Sequence, residues 1–299
     1  VLVYVSVFHL MDSSIEVKAE TYLTGFIMGA CYYWLRYDAQ ARLKYLLLGA
    51  LFTAGAAMTK GVFTMITITS GLVALWLYRK QWSKLWSGKW WLAFALSLLF
   101  TAPELIALYL QFDAHPEKVV FGQTNVSGIK FFLWDSQFGR FFNAGPIQDT
   151  SGGGHPFYFV LVFLWAFLPW VAVFIAAMFD GVRKFAQRAV QENAGFVFLC
   201  GAFFVTFALF SATSFQLDHY TVILFPFAAI LCGQFLFRRM RNLQEGWALL
   251  VAQAAFTLLL LAMAIGLGVY VGHVAVRTLV AALVVAMLVY VIVQRQQMR

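Results

Sequence analysis

The chain has 299 residues, of which 62% are hydrophobic and only 11% charged, with a net charge of +8. That balance excludes an ordinary soluble domain. The basic residues sit in short segments between apolar runs, which excludes a basic nucleic-acid-binding face. The runs are long rather than short and alternating, which excludes a β-barrel and predicts an all-α, polytopic transmembrane bundle forming one domain over 1–299.

Residues 1–10 are apolar but short, as the end of a span that begins upstream would be. The first residue is Val1, with no basic-then-apolar leader behind it, so the chain reads as N-terminally truncated. A polar stretch follows at 11–20, with Asp12, Ser13, Ser14, Glu16, Lys18 and Glu20. Nine spans are then predicted, at 21–35, 45–58, 62–78, 90–110, 157–179, 194–210, 220–237, 247–271 and 278–293. Cys31, Cys200 and Cys232 each fall inside an apolar run and read as small packing residues.

Fifteen of the 21 Lys and Arg residues fall in alternate connections, at 36–44, 79–89, 180–193, 238–246 and the C-terminal tail; the other six are Lys18, Lys60, Lys118, Lys130, Arg140 and Arg277. The positive-inside rule places the first set, and the C-terminus, in the cytoplasm. Asp12, Lys60, the long connection at 111–156 and the turn at 211–219 then share the opposite face. Polar groups at span ends are costly unless paired or wet, so a shared aqueous cavity is expected there.

The interval 111–156 is the one long polar stretch, and a connection of that length is more often functional than a mere link. Within it, Phe131, Trp134, Phe138, Phe141 and Phe142 recur at helical spacing, with Lys130, Asp135 and Arg140 between them. This predicts a short amphipathic helix lying in the membrane interface. Arg140 offers a planar fork to a phosphate, or serves only to anchor that helix. Lys60, in Thr59-Lys60-Gly61 between two spans, is a point charge for a phosphate or a snorkelling interfacial lysine. Asp12 is an acid–base group or an ordinary helix cap. His155 follows three glycines and precedes Pro156-Phe157-Tyr158; it is a metal or phosphate ligand, or a solvated histidine beside an aromatic anchor. Asp218-His219-Tyr220 is a tight polar turn whose groups could line the same cavity; adjacent residues in a turn often point apart, which argues against reading it as an Asp–His dyad. No P-loop, dinucleotide fingerprint or HExxH motif is present.

Asp12-Ser13 before a span, Thr59-Lys60-Gly61 between spans, Gln137-Phe138-Gly139-Arg140-Phe141, His155-Pro156-Phe157-Tyr158-Phe159, and the stretch from Ser214 through His219-Tyr220 to Phe225-Pro226 occur in this order. The series resembles the GT-C membrane glycosyltransferases of the protein mannosyltransferase and aminoarabinose transferase (ArnT-like) type, over most of the chain up to about residue 237. The resemblance implies a cell-membrane enzyme. It would take a sugar from a polyprenyl-phosphate donor on the periplasmic or outer face and pass it to a lipid, glycan or protein acceptor among membrane lipids. It implies Asp12 as an acidic cavity residue, Lys60, Arg140, His219 and Tyr220 at the donor phosphate, and His155 as ligand to a divalent metal. Two departures stand out. The family's main acidic residues belong to a first outer loop that precedes this sequence, so the general base is expected there. Gln216 stands where relatives often carry a lysine. A lipid-linked sugar transporter or flippase is the alternative, with a non-catalytic paralogue behind it. A transporter calls for mid-membrane charges and internal repeats, and neither is seen.

Overall fold

A computed structural model describes residues 1–15, 18–144, 146, 154–185, 187 and 193–240. The last two predicted spans lie outside them. The chain divides into two compact units, 1–233 and 234–299. Every described helix begins in the first unit, and the last of them runs out of it.

The described residues form an all-helical membrane bundle. The helices are α1 (Leu2–Val5), α2 (Phe8–Ile15), α3 (Glu20–Gln40), α4 (Leu43–Lys60), α5 (Thr64–Tyr78), α6 (Gly88–Phe100), α7 (Ala102–Leu108), α8 (Gly128–Lys130), α9 (Tyr158–Ala166), α10 (Val171–Phe185), α11 (Ala194–Ala212) and α12 (Phe225–Met240). π-Helical turns extend α7 over Tyr109–Asp113 and α8 over Phe131–Gly139, and 3₁₀ segments cover Trp82–Trp86 and Asp218–Leu224. The β pairing among the described residues is one isolated bridge, Val120 to Gln123. Gly88–Asp113, Ala194–Ala212 and Asp218–Arg239 are each long and apolar enough to cross a membrane.

The sequence expectation of helices at the first seven spans is met in kind, with two corrections. The span at 157–179 is broken: α9 and α10 meet at 111°. Its cause is legible in Pro169, which has no N–H to continue the ladder. The Leu168 carbonyl freed at the break finds a partner on the N-terminal segment, accepting from Phe8 N (2.8 Å), and the Trp170 side chain ties the same two segments by donating Nε1 to Ser6 Oγ (2.8 Å). Broken helices persist in a membrane only when their backbone is satisfied in this way. Secondly, α10 runs on to Phe185, where the sequence predicts a basic loop from 180, and an Asp180–Lys184 pair one turn apart supports it. The fourth span runs through Pro103 as expected. The proline sits at the start of α7, where a missing N–H costs nothing, and the helix continues to Asp113.

Small residues let the helices approach. In the α3–α4 hairpin the aromatic rings of Phe52, Trp34 and Phe26 lie over Gly29, Gly49 and Gly55, too close for a Cβ at any of the three. α5 and α11 pack reciprocally, Gly71 against the Phe198 backbone and Gly201 against Ala74. Phe163 and Phe167 stack at 5.0 Å, and Phe203 and Phe225 complete an aromatic core where α9, α11 and α12 meet. This packing sends α3 away from Glu20 and brings α4 back to Lys60, so the two residues share one end of the bundle.

Candidate functional site

At that end lies a cavity of about 310 Å3. Its walls are the start of α3 (Glu20, Leu23), the end of α4 (Met58 to Lys60), the start of α5 (Phe63, Thr64, Thr67), the outer π-helix (Phe132, Ser136, Gln137), and the end of α11 with the turn that follows (Leu209, Phe210, Thr213, Phe215, Tyr220). Arg140 and Phe141 close it from the outer helix. One flank is aromatic and the other polar.

Each wall is held by local chemistry. α4 stops at Gly61, whose φ of 98° belongs to a region that L side chains rarely adopt. A Cβ there would fall 1.9 Å from Gln137 Nε2, so the glycine also lets the outer helix dock. Gln137 is buried, accepts from Phe63 N at 3.4 Å and donates to Ser136 Oγ at 2.9 Å. The outer helix is fastened at its other end by Asp113. Its carboxylate accepts from Ser127 Oγ and from the backbone N–H groups of Gly128 (2.9 Å) and Ile129 (3.3 Å), while Ser127 Oγ accepts from Lys130 N. This is N-capping by two side chains at once. Beyond Arg140, Ser214 N donates to Phe141 O (3.0 Å), tying the outer helix to the 211–219 turn. The expected interfacial helix therefore exists, and one face of it is a cavity wall: Phe138 and Phe141 pack edge-on against Phe63, while Trp134 and Phe142 are exposed.

The electrostatics are lopsided. Among the described residues the lining holds one carboxylate, Glu20, and two cations, Lys60 and Arg140. Glu20 is 3% exposed at its side chain and is ion-paired with Lys60. Lys60 Nζ also lies 4.6 Å over the Tyr220 ring. Arg140 sits 5.4 Å over the Phe215 ring and faces the Tyr220 hydroxyl, and its Nε is buried without a hydrogen-bond partner. The N-terminus of α5 opens on the same space and adds partial positive charge. A net-positive, half-apolar pocket is built to receive an anion carried on an apolar body.

The structure brings Lys60, Arg140 and Tyr220 together. His219 stands just behind the wall, its Nε2 3.4 Å from Glu20 Oε1 and its Nδ1 3.3 Å from Asp218 Oδ1. Asp12 is not part of the lining. It lies inside α2, half exposed, with Oδ2 3.5 Å from His9 Nδ1. His155 is likewise outside the lining and exposed. Its backbone N–H donates to Gln216 Oε1 (2.9 Å) and its carbonyl accepts from Gln216 Nε2 (3.1 Å), so the residue in the lysine position staples the loop to the turn. No three of His, Cys, Asp and Glu converge among the described residues. Farther out, exposed Glu117 is held below the usual carboxylate range by its own backbone amide and then by the His115 ring 3.0 Å away. Glu20 is the cavity residue that sequence reasoning passes over. Its signal is slight: it is the last acidic residue before an apolar run.

No protein-family model and no curated protein matches the chain. Two solved structures do. One is a crystal structure of ArnT from Cupriavidus metallidurans bound to undecaprenyl phosphate, with 19% identity and a TM-score of 0.58 over 82% of this chain and 42% of that one. The other is the same protein in its apo state, with 18% identity and a TM-score of 0.57 over 82% of this chain and 40% of that one. The chain has an ArnT-like GT-C fold and spans less than half the length of these neighbours.

Proposed function

We propose that this chain forms the donor-phosphate cavity of an integral membrane glycosyltransferase. The enzyme moves a sugar from a polyprenyl-phosphate donor to a lipid, glycan or protein acceptor on the periplasmic or outer face. The observation that carries the reading is the pair of cations, Lys60 and Arg140, facing a single carboxylate in a pocket that six aromatic rings help to line. The fold supports it, since one of the ArnT structures that share it holds undecaprenyl phosphate.

Breaking a sugar–phosphate bond leaves charge on the phosphate, and fixed cations in a water-poor pocket stabilise that charge as it develops. Arg140 presents a guanidinium fork matched to phosphate oxygens, and Lys60 a compact point charge. Tyr220, between them, adds a hydroxyl donor. Phe63, Phe132, Phe141, Phe210 and Phe215 accept the first apolar units of the lipid. A volume of about 310 Å3 suits a phosphate head and its first units, and leaves most of a long chain to the bilayer. The orientation follows from the helices. α3 and α4 begin or end at the cavity with Glu20 and Lys60, and their other ends carry the basic segment 36–44, the cytoplasmic side by charge. The alternation of basic segments along the sequence supports a cytoplasmic C-terminus as well.

Binding of undecaprenyl phosphate to the chain in lipid nanodiscs tests this. Wild type is expected to bind it and Arg140→Ala to bind about 100-fold more weakly, the usual scale for a buried charge left without its partner. Failure of the folded wild-type chain to bind, or equal binding by Arg140→Ala, would refute the reading.

A further inference from the structure

Lys60 serves two masters in this geometry. Its ammonium is bound to Glu20, yet it lies on the cavity surface, 28% exposed, beside the space where an anion would sit. We propose that Lys60 exchanges partners: it neutralises Glu20 in the empty cavity and moves to the phosphate when a polyprenyl phosphate enters, leaving Glu20 as the free carboxylate that takes the acceptor's proton. The inference rests on the polyprenyl-phosphate reading and assigns a role to Glu20, which that reading leaves unused.

Glu20 needs a counter-charge because its side chain is almost wholly removed from water, and a bare buried carboxylate is expensive. The groups that face it are few. Lys60 comes from the end of α4 and His219 and Tyr220 from the turn; Asp218 stands behind His219, and Arg140 and Lys18 act on Lys60 rather than on Glu20. Lys60 feels the charges of both Arg140 and Lys18, so the empty cavity holds like charges close together with one carboxylate to share. A sugar-linked phosphate brings a second negative charge into the cavity. It relieves this repulsion by drawing the two cavity cations onto one ligand. The route is short and not bare. Tyr220 touches both cations, its ring under Lys60 at 4.6 Å and its hydroxyl facing Arg140. A cation sliding across an aromatic face keeps part of its stabilisation.

Glu20 is not abandoned when Lys60 leaves. His219 Nε2 stands 3.4 Å from the same oxygen that Lys60 holds, and His219 is fixed in turn by Asp218, whose Oδ1 accepts from His219 N at 2.7 Å. The transfer then balances. The acceptor oxygen forms its bond to the sugar's anomeric carbon as the bond from that carbon to the phosphate oxygen breaks. The electron pair stays on the polyprenyl phosphate, held by Lys60 and Arg140. The acceptor's proton passes to Glu20 and onward through His219 toward Asp218, which is 41% exposed and open to water. A carboxylate tied to Lys60 is a poor base, and the exchange frees it only when donor is present.

The experiment is a binding cycle with undecaprenyl phosphate on the chain in nanodiscs, together with a carboxylate-region infrared difference spectrum of the wild type. Glu20→Gln is expected to bind about five-fold more tightly than wild type, at the low end of ordinary coupling, because Lys60 no longer has to leave a partner. Lys60→Met loses affinity, and in that background Glu20→Gln brings no gain. The wild-type spectrum shows a carboxylate band shift on binding, and this arm stands even where Glu20→Gln fails to fold. Unchanged or weaker binding by folded Glu20→Gln, the same gain with Lys60 absent, or a flat carboxylate region each overturns the exchange while the cavity reading survives. Absence of any binding to wild type overturns both.

Discussion

Helix α3 carries a buried carboxylate at each end, and each is paired with a lysine. At one end Glu20 meets Lys60, with side chains 3% and 28% exposed; at the other Asp38 meets Lys84, 8% and 27% exposed. By burial and composition the two pairs are near twins. Their surroundings differ. Asp38 also accepts from Trp76 Nε1 (3.0 Å), and Trp34, Trp76 and Trp90 pack closely beside it. The nearby cavity of about 140 Å3 has a lining that is almost wholly apolar. No second cation stands unmatched there among the described residues. The Glu20 pair opens on a larger cavity, with Arg140 facing it and no carboxylate to spare among the described residues. One ion pair is thus a clamp and the other a site. A buried salt bridge by itself is weak evidence of either role. What separates them is leftover charge next to empty space.

Removing the two lysines in turn is the strongest way to break this contrast. Lys60→Met is expected to weaken undecaprenyl phosphate binding about 100-fold and also to lower the thermal midpoint, because Glu20 is left buried with only His219 beside it. Lys84→Met is expected to leave binding as it was and to lower stability by about 1–3 kcal/mol, the ordinary penalty for a buried acceptor that loses its donor. Thermal unfolding in detergent beside a lipid-binding titration separates the two. If Lys84→Met weakened binding as Lys60→Met does, the distinction between clamp and site would collapse.

The turns at the two ends sharpen the contrast further. Gly61 joins α4 to α5 at the cavity and is pressed against Gln137. Gly61→Ala puts a side chain into a backbone region that disfavours it and pushes Gln137, with the outer helix, off the cavity wall. Strain of about 1–3 kcal/mol is expected. Most of it should emerge as weaker binding, because Gln137 sits three residues before Arg140 on the same helix. A loss of stability with unchanged affinity would show that the outer helix docks independently of this turn.

Much of this arrangement was readable in the residues. Long apolar runs marked the helices, and Thr59-Lys60-Gly61, too tight for an ordinary loop, marked a lysine held at a cavity. For Arg140 and Tyr220 the residues alone left a ligand and a mere anchor or turn residue both open, and the family resemblance pointed to the cavity whose walls hold them. Their common face followed from the distribution of basic residues. Glu20 was hidden because three acidic residues, Asp12, Glu16 and Glu20, crowd one polar stretch, and spacing alone does not say which turns inward. The choice is made by a contact forty residues away, with Lys60, that no local pattern encodes. Pro169 and Pro103 illustrate the same limit. Both are helix-breaking signals, yet one coincides with a sharp break and the other with a helix start inside a continuous rod. Which outcome holds depends on whether neighbouring groups satisfy the freed backbone, as Phe8 does at the break and nothing need do at a helix N-terminus.

The smallest predicted effect lies at the clamp end, in the turn between α3 and α4. Ala41 ends α3 in the left-handed region, φ 49° and ψ 31°, with its N–H donating to Tyr37 O at 2.8 Å. This is the position that glycine favours at helix ends, because a Cβ costs energy there. Ala41 is exposed and makes no use of its methyl group in packing. Ala41→Gly removes a left-handed penalty of about 1–2 kcal/mol and gives back part of it as backbone entropy in the unfolded chain. A net gain of about 0.5–1 kcal/mol is expected, seen as a small rise in the thermal midpoint, with undecaprenyl phosphate affinity unchanged. Gly61→Ala and Ala41→Gly are then opposite substitutions at opposite ends of α4. The first should cost affinity and the second should gain stability alone. A change in affinity with Ala41→Gly would mean that the clamp end transmits to the cavity through α4, and that the two ion pairs are coupled rather than separate.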